Sequence, residues 1–317
     1  MSIKENTDGV SLTVENEVYR SKVYKSKQGE IALTNLYEKQ LTSLNVPYED
    51  LWAETRYGVA HIIKLGKPDG KPLLLFHGGN STAPYYLAGF KSLFGHFCIY
   101  AVDTVGHPGK SAPIILSPKT EAYGEWASDV ISGLGFQKMY CMGGSYGGGI
   151  LAKLMCVAPE KIEKAVLIVP SGIANVSTLN ITMKMAIPMI FYILTKKEYW
   201  FKKAVLPMAI EEKNIDEDSY EMIKNSFEHV VVKVGMPSNV PLKKLKNCYV
   251  PTLLIAAEKD CMFPGKKVIE RGKKAIPNLK TIMMYGQGHL HALSDEVMRS
   301  ILEFIIDDEK INKKPLR

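Results

Sequence analysis

The chain of 317 residues has no apolar run long enough to cross a membrane. Its most apolar stretch, Met185–Leu194, is about ten residues and carries Pro188, whereas a span needs about twenty. Cysteine is scarce: Cys98, Cys141, Cys156, Cys248 and Cys261 make an odd set with no C-x-x-C spacing, which excludes a disulfide framework and a zinc ribbon. Such thiols suit a reducing compartment. The first residues, Met1–Asn6, lack the apolar stretch of a signal peptide, so a cytoplasmic location is expected. No dinucleotide fingerprint and no cluster of metal-ligand residues appears, so neither a metal nor an organic cofactor is expected. Also missing is a basic block interleaved with aromatics. The formal charge of +7 is spread as in Lys202-Lys203, Lys243-Lys244 and Lys273-Lys274, which reads as a lysine-rich surface with no nucleic-acid partner. At 46% hydrophobic and 23% charged, the composition supports a core without such staples.

What is present is an alternation of short apolar runs with helix-spaced segments. Residues Met1–Gly29 are polar and read as loosely held; Leu33, Leu36, Tyr37, Leu41 and Leu44 then fall at helical spacing. Leu51–Ile63 reads as two strands turning at Gly58, an antiparallel edge. Lys71–Phe76, Phe97–Val102, Lys138–Met142 and Ala165–Val169 are runs of the kind buried on both faces of a parallel sheet, resumed at Thr252–Ala257 and Thr281–Tyr285. Between them, Tyr123, Trp126, Ala127, Val130 and Ile131 mark one helix, and Ile150, Leu151, Leu154 and Met155 another. A last amphipathic helix carries Val297, Ile301 and Ile305 behind Ser294 as N-cap. This rhythm predicts a mostly parallel α/β sheet flanked by helices. From about Gly172 to Asn247 it stops, and the chain becomes rich in methionine, lysine and helical pattern. An inserted helical cap is predicted there.

The chemistry centres on Gly143-Gly144-Ser145-Tyr146-Gly147, a G-x-S-x-G between an apolar strand and a helix-spaced segment, which is the context of a nucleophile elbow. A serine needs a base. His289, on a glycine loop after the last strand, is the candidate, with His291 as the rival. The orienting carboxylate should follow the preceding strand, where Asp260 is favoured over Glu258 because it lies further into the loop. His77-Gly78-Gly79-Asn80 ends the first buried strand and can supply an oxyanion donor. Gly79 is assigned, with Asn80 as the alternative, and the N–H of Tyr146 is its partner. Asp103 also ends a strand but is read as tying down its own loop. Activity is expected to rise with pH as the imidazole loses its proton.

Taken together, His77-Gly78-Gly79, Asp103 with its Gly106/Gly109/Ser111 loop, the Ser145 elbow, Asp260 and Gly288-His289 resemble the α/β-hydrolase superfamily, in its capped, carboxylesterase-like form. The matching parts run in family order from about Tyr48 to the C-terminus, and the N-terminal segment and the cap are not covered. Pro108 makes the glycine loop after Asp103 one residue longer than is usual. The organisation expected is an N-terminal extension and helix (1–47), a hydrolase core (48–172 and 248–317) and a helical cap (173–247). The resemblance implies a serine hydrolase that cleaves small carboxylic esters through an acyl-enzyme on Ser145. Gly143–Gly148 is also similar to elbows of the proline iminopeptidase family; that activity needs carboxylates to bind a free amine, for which Glu211, Glu212, Asp216 and Glu217 are available. A non-catalytic ligand-binding relative is the third reading, disfavoured by the intact triad.

Overall fold

A computed structural model describes residues 23–175, 179–231 and 235–307. The first 22 residues and the last ten, whose loose N-terminal and terminal-core assignments belong to the sequence reading, lie outside the described residues, as do the short breaks inside the expected cap. Helix α1 (Lys27–Ser43) starts within the stretch read as loose, because Ser26 caps it by accepting from the Gly29 N–H at 3.1 Å. Its Leu33, Leu36, Tyr37 and Leu41 are buried as their spacing predicts.

Strands β1 (Tyr48–Ala53) and β2 (Ala60–Gly66) pair antiparallel, with Gly58 between them at φ +91°. Then come β3 (Lys71–Phe76), the short helix α2 (Ala83–Ala88), β4 (Phe97–Val102), α3 (Ala122–Gly133), β5 (Met139–Gly144), α4 (Tyr146–Val157) and β6 (Ile162–Ile168). Helices α5 (Leu179–Thr195), α6 (Glu198–Ala209), α7 (Glu217–His229) and α8 (Leu242–Lys246) follow before β7 (Thr252–Ala257), α9 (Gly265–Ala275), β8 (Leu279–Met284) and α10 (Asp295–Ile306). Among the described residues the eight strands form one sheet in the order β1-β2-β4-β3-β5-β6-β7-β8, parallel from β4 onward.

Side chains alternate across this sheet, so β3 feeds two cores. Leu74 and Phe76 join Trp126, Ile150 and Leu154 on the side of α3 and α4. Leu73 and Leu75 join Tyr37, Leu87 and Ile301 on the side of α1, α2 and α10. Two buried layers on one sheet require strands apolar on both faces, which is why β3, β4 and β7 read as unbroken runs. Val240 and Leu245 belong to the α3/α4 core although they lie within the inserted stretch, as does Cys248 just after it. The helices α5–α7 hold a separate nucleus of Tyr192, Phe201 and Val205.

The order places the loop after β3 beside the loop after β5, at the point where the chain's path across the sheet reverses. Such a switch point opens a crevice at the carboxyl ends of parallel strands.

Candidate active site

Ser145 stands between β5 and α4 at φ 52° and ψ −113°, left-handed backbone that costs a non-glycine residue on the order of 1–3 kcal/mol. The turn survives because its surroundings overdetermine it. The Ser145 N–H donates to Ile168 O at 2.9 Å, and its carbonyl accepts from the N–H groups of Gly149 and Ser171 at 3.2 and 3.0 Å and from Ser171 Oγ at 3.1 Å. Strand and helix approach so closely that a Cβ on Gly143 would overlap the Gly147 carbonyl, and one on Gly147 would overlap that of Phe76. Only glycine fits at either position. The elbow thus leaves the serine partly exposed while its neighbours on both sides are buried.

The loops after β7 and β8 bring two further groups to this hydroxyl. Ser145 Oγ lies 2.9 Å from His289 Nε2, and His289 Nδ1 lies 2.8 Å from Asp260 Oδ2. A carboxylate can only accept, so Nδ1 carries a proton, and this tautomer leaves Nε2 to accept from the serine. Asp260 is itself fixed, its other oxygen accepting from the N–H groups of Met262 and Phe263 at 2.7 and 2.9 Å. The Phe263 ring stands edge-on to His289, 5.4 Å between centroids. The rivals are occupied elsewhere. Glu258 accepts from the Gly286 N–H at 2.8 Å and so fastens the β7 loop to the β8 loop. His291 donates from Nδ1 toward the His289 carbonyl at 3.0 Å, and burial, with His289 beside it, depresses its pKa.

On the other flank, Gly79 packs on the side chain of Tyr146, where an added Cβ would come within 3.3 Å of the ring. The N–H groups of Gly79 and Tyr146 meet no acceptor among the described residues, and the latter opens α4, whose first amides have no partner within the helix. Asn80 adopts φ 51° one residue on. His77 shapes this loop. Its Nε2 accepts from the Thr104 N–H at 2.9 Å and its Nδ1 donates to Gly78 O at 2.8 Å, so burial depresses its pKa and the ring is neutral. Sequence reasoning had no means of finding that role, nor the hold on the elbow of Ser171, three residues past the end of β6.

Asp103 is apart from the hydroxyl and does what its loop position implied. It accepts from the Lys110 N–H at 2.9 Å and the Tyr37 hydroxyl at 3.0 Å, and pairs with His61 Nδ1 at 2.9 Å. His61 bridges on to Asp50 at 2.7 Å. Behind the elbow, His107 stacks edge-on against Tyr146, 4.6 Å between centroids, with Tyr123 and His77 at 6.4 and 6.1 Å. Burial holds its pKa down at about 3. The unfolded chain binds a proton there below about 6.5, so acid favours unfolding. Relative to a His107→Phe variant, the protein should lose about 2 kcal/mol between pH 7.5 and pH 5, read from urea unfolding at the two pH values.

The sheet order, with its strand–elbow–helix turn at Ser145, is that of the α/β-hydrolase fold. A family model described as the alpha/beta hydrolase fold matches residues 71–196. The chain is 26% identical over 281 residues to carboxylesterase YbfK of Bacillus subtilis, covering 85% of this chain and 92% of that protein. It superposes on the crystal structure of naproxen esterase from Bacillus subtilis with a TM-score of 0.76 at 20% identity, over 89% of this chain and 99% of the other. The structure of YbfK itself gives 0.74 at 22% identity, over 88% and 99%. The chain therefore has the α/β-hydrolase fold and is similar to carboxylesterases over most of its length.

Proposed function

We propose that the protein hydrolyses small carboxylic esters by two-step acyl transfer on Ser145, with Asp260 and His289 completing the triad and the N–H groups of Gly79 and Tyr146 forming the oxyanion hole. Ser145 Oγ attacks the carbonyl carbon as its proton passes to His289 Nε2. The tetrahedral oxyanion is held by the two amides. Collapse breaks the ester C–O bond, and the leaving alkoxide takes the proton from His289 to depart as an alcohol. Water then attacks the acyl-enzyme, its proton again going to His289, and the carboxylic acid leaves as Ser145 recovers its hydrogen. Asp260 holds the ring tautomer and stabilises the imidazolium at each stage. Helices α5–α7 would act as the cap over this edge, since the Leu290 N–H donates to Met208 O at 2.9 Å beside His289.

The single observation that carries this reading is the continuous chain of hydrogen bonds from the serine through the imidazole to the carboxylate. Two of the four carboxylates the aminopeptidase reading would draw on are engaged elsewhere. Glu211 is exposed and paired with Lys213 at 2.7 Å, and Asp216 is engaged as the N-cap of α7. A panel of p-nitrophenyl esters of graded chain length run beside aminoacyl arylamides tests the choice. Ester turnover with little arylamide cleavage is expected; the reverse pattern would replace the ester assignment.

A further inference from the structure

We propose that the outward face of α5, with the start of α6, is a docking surface for an anionic lipid–water interface. Met183, Ile187, Ile190, Phe191 and Leu194 recur at i, i+4, i+7, i+8 and i+11, one stripe of a helix. That stripe is turned away from the protein: these side chains are 42–73% exposed, Leu194 the most, and Tyr199 just beyond is 63% exposed. The opposite face already has its partner, since Tyr192 is buried against Phe201, their rings 5.1 Å apart. Helix α5 is therefore apolar on both sides with only one side covered. Soluble chains rarely leave so contiguous an apolar patch bare unless something docks on it.

Charge identifies the occupant. Between Met183 and Lys203 the chain carries Lys184, Lys196, Lys197, Lys202 and Lys203, all exposed, against the one acid Glu198, which pairs with Lys224. An apolar stripe rimmed by lysines, with aromatics at its end, has the composition of a helix that lies in the headgroup layer. Phe191 and Trp200 stack at 4.6 Å, and Lys203 lies 5.5 Å over the Trp200 ring, so the end of the stripe is a firm aromatic platform. A second copy of this chain fits less well. An isologous contact sets the same patch on itself and would oppose the two lysine rims, whereas anionic headgroups neutralise them. The surface does not depend on the assignment of Ser145.

Flotation of the full-length protein with vesicles of phosphatidylcholine, with and without 30% phosphatidylglycerol on the order used to mimic an anionic leaflet, tests this. Binding to the anionic vesicles, weakened by added salt, is expected. A Phe191→Ser/Leu194→Ser variant should lower it at least about tenfold, in line with the apolar area removed. A Lys196→Glu/Lys197→Glu variant should lower it by about fivefold per lysine or more, while leaving the thermal midpoint near that of the parent. Equal binding to neutral and anionic vesicles, or failure of the parent to float at all, would overturn the proposal. A parent that does not float but sediments as a dimer, made monomeric by Leu194→Glu, would give the face to a second copy. A parent that is monomeric and does not float overturns the proposal likewise.

Discussion

Replacing Ser145 by alanine is expected to lower ester turnover by about 10⁴- to 10⁶-fold and to abolish labelling by a fluorophosphonate. The loss should come without unfolding. Every hydrogen bond that holds the elbow is made by the backbone of residue 145 or by Ser171, so alanine keeps them all. Alanine also shares serine's difficulty at φ 52°, and the folding free energy should stay within about 1 kcal/mol of the parent. Glycine at the same position relieves that conformation and should be equally inactive yet more stable, by about 1 kcal/mol. The pair separates chemistry from folding. Retention of labelling in the alanine variant would move the nucleophile elsewhere and remove the proposed mechanism.

The second large effect is expected at Asp260. An asparagine there can turn its NH₂ toward His289 Nδ1, which would then carry the lone pair and leave Nε2 with the proton. The ring could no longer accept from Ser145, and kcat should fall by about 10⁴-fold. Glu258→Gln is the matched control. Its carboxylate binds the Gly286 N–H, 28 residues on, and gives the imidazole nothing. Turnover should drop less than about tenfold, with a small loss of stability from one weakened loop contact. If the two variants were equally impaired, the orienting role would have to be shared. Steady-state kinetics on one soluble ester decides it.

How much of this was legible in the residues depends on which forces wrote the signal. Strands β3, β4 and β7 are buried on both faces, so their apolar runs coincide with the observed limits Lys71–Phe76, Phe97–Val102 and Thr252–Ala257. Strand β6 begins at Ile162, three residues before the unbroken apolar run that starts at Ala165. Lys164 interrupts the pattern; its ammonium reaches the carbonyls of Phe304 and Asp307 at 2.9 and 2.8 Å, a contact no local pattern announces. Strand β8 likewise starts at Leu279, before the expected Thr281. Helix α4 was expected from Ile150 but starts at Tyr146, because Gly147-Gly148-Gly149 hide a helical turn. Glycine opposes helix by about 1 kcal/mol per residue, and here close approach to the sheet overrides that preference. Helix α9 has only Val268, Ile269 and Ala275 among lysines and glycines, and α2 is six residues long; neither declared itself.

The candidate site was more legible than the inserted helices α5–α7. Ser145, Asp260 and His289 could be selected because each follows a strand, and strand ends in a parallel sheet share one edge. What the residues did not disclose was the distribution of apolar groups on the inserted helices. Tyr192, Phe201 and Val205 hold α5 and α6 to one another, while Phe191 and Leu194 face outward. Composition is blind to that division, since both sets are equally apolar; only the rotation of α5 about its axis separates them.

The sheet order carries a kinetic consequence. Ser145 follows β5, whereas Asp260 and His289 follow β7 and β8, which join the sheet beyond β6 and enter the chain only after the long inserted helices. Closing that loop is entropically slow compared with pairing the strands up to β6. During renaturation, then, backbone signals should recover ahead of turnover, and the lag between them clocks the arrival of the last two strands.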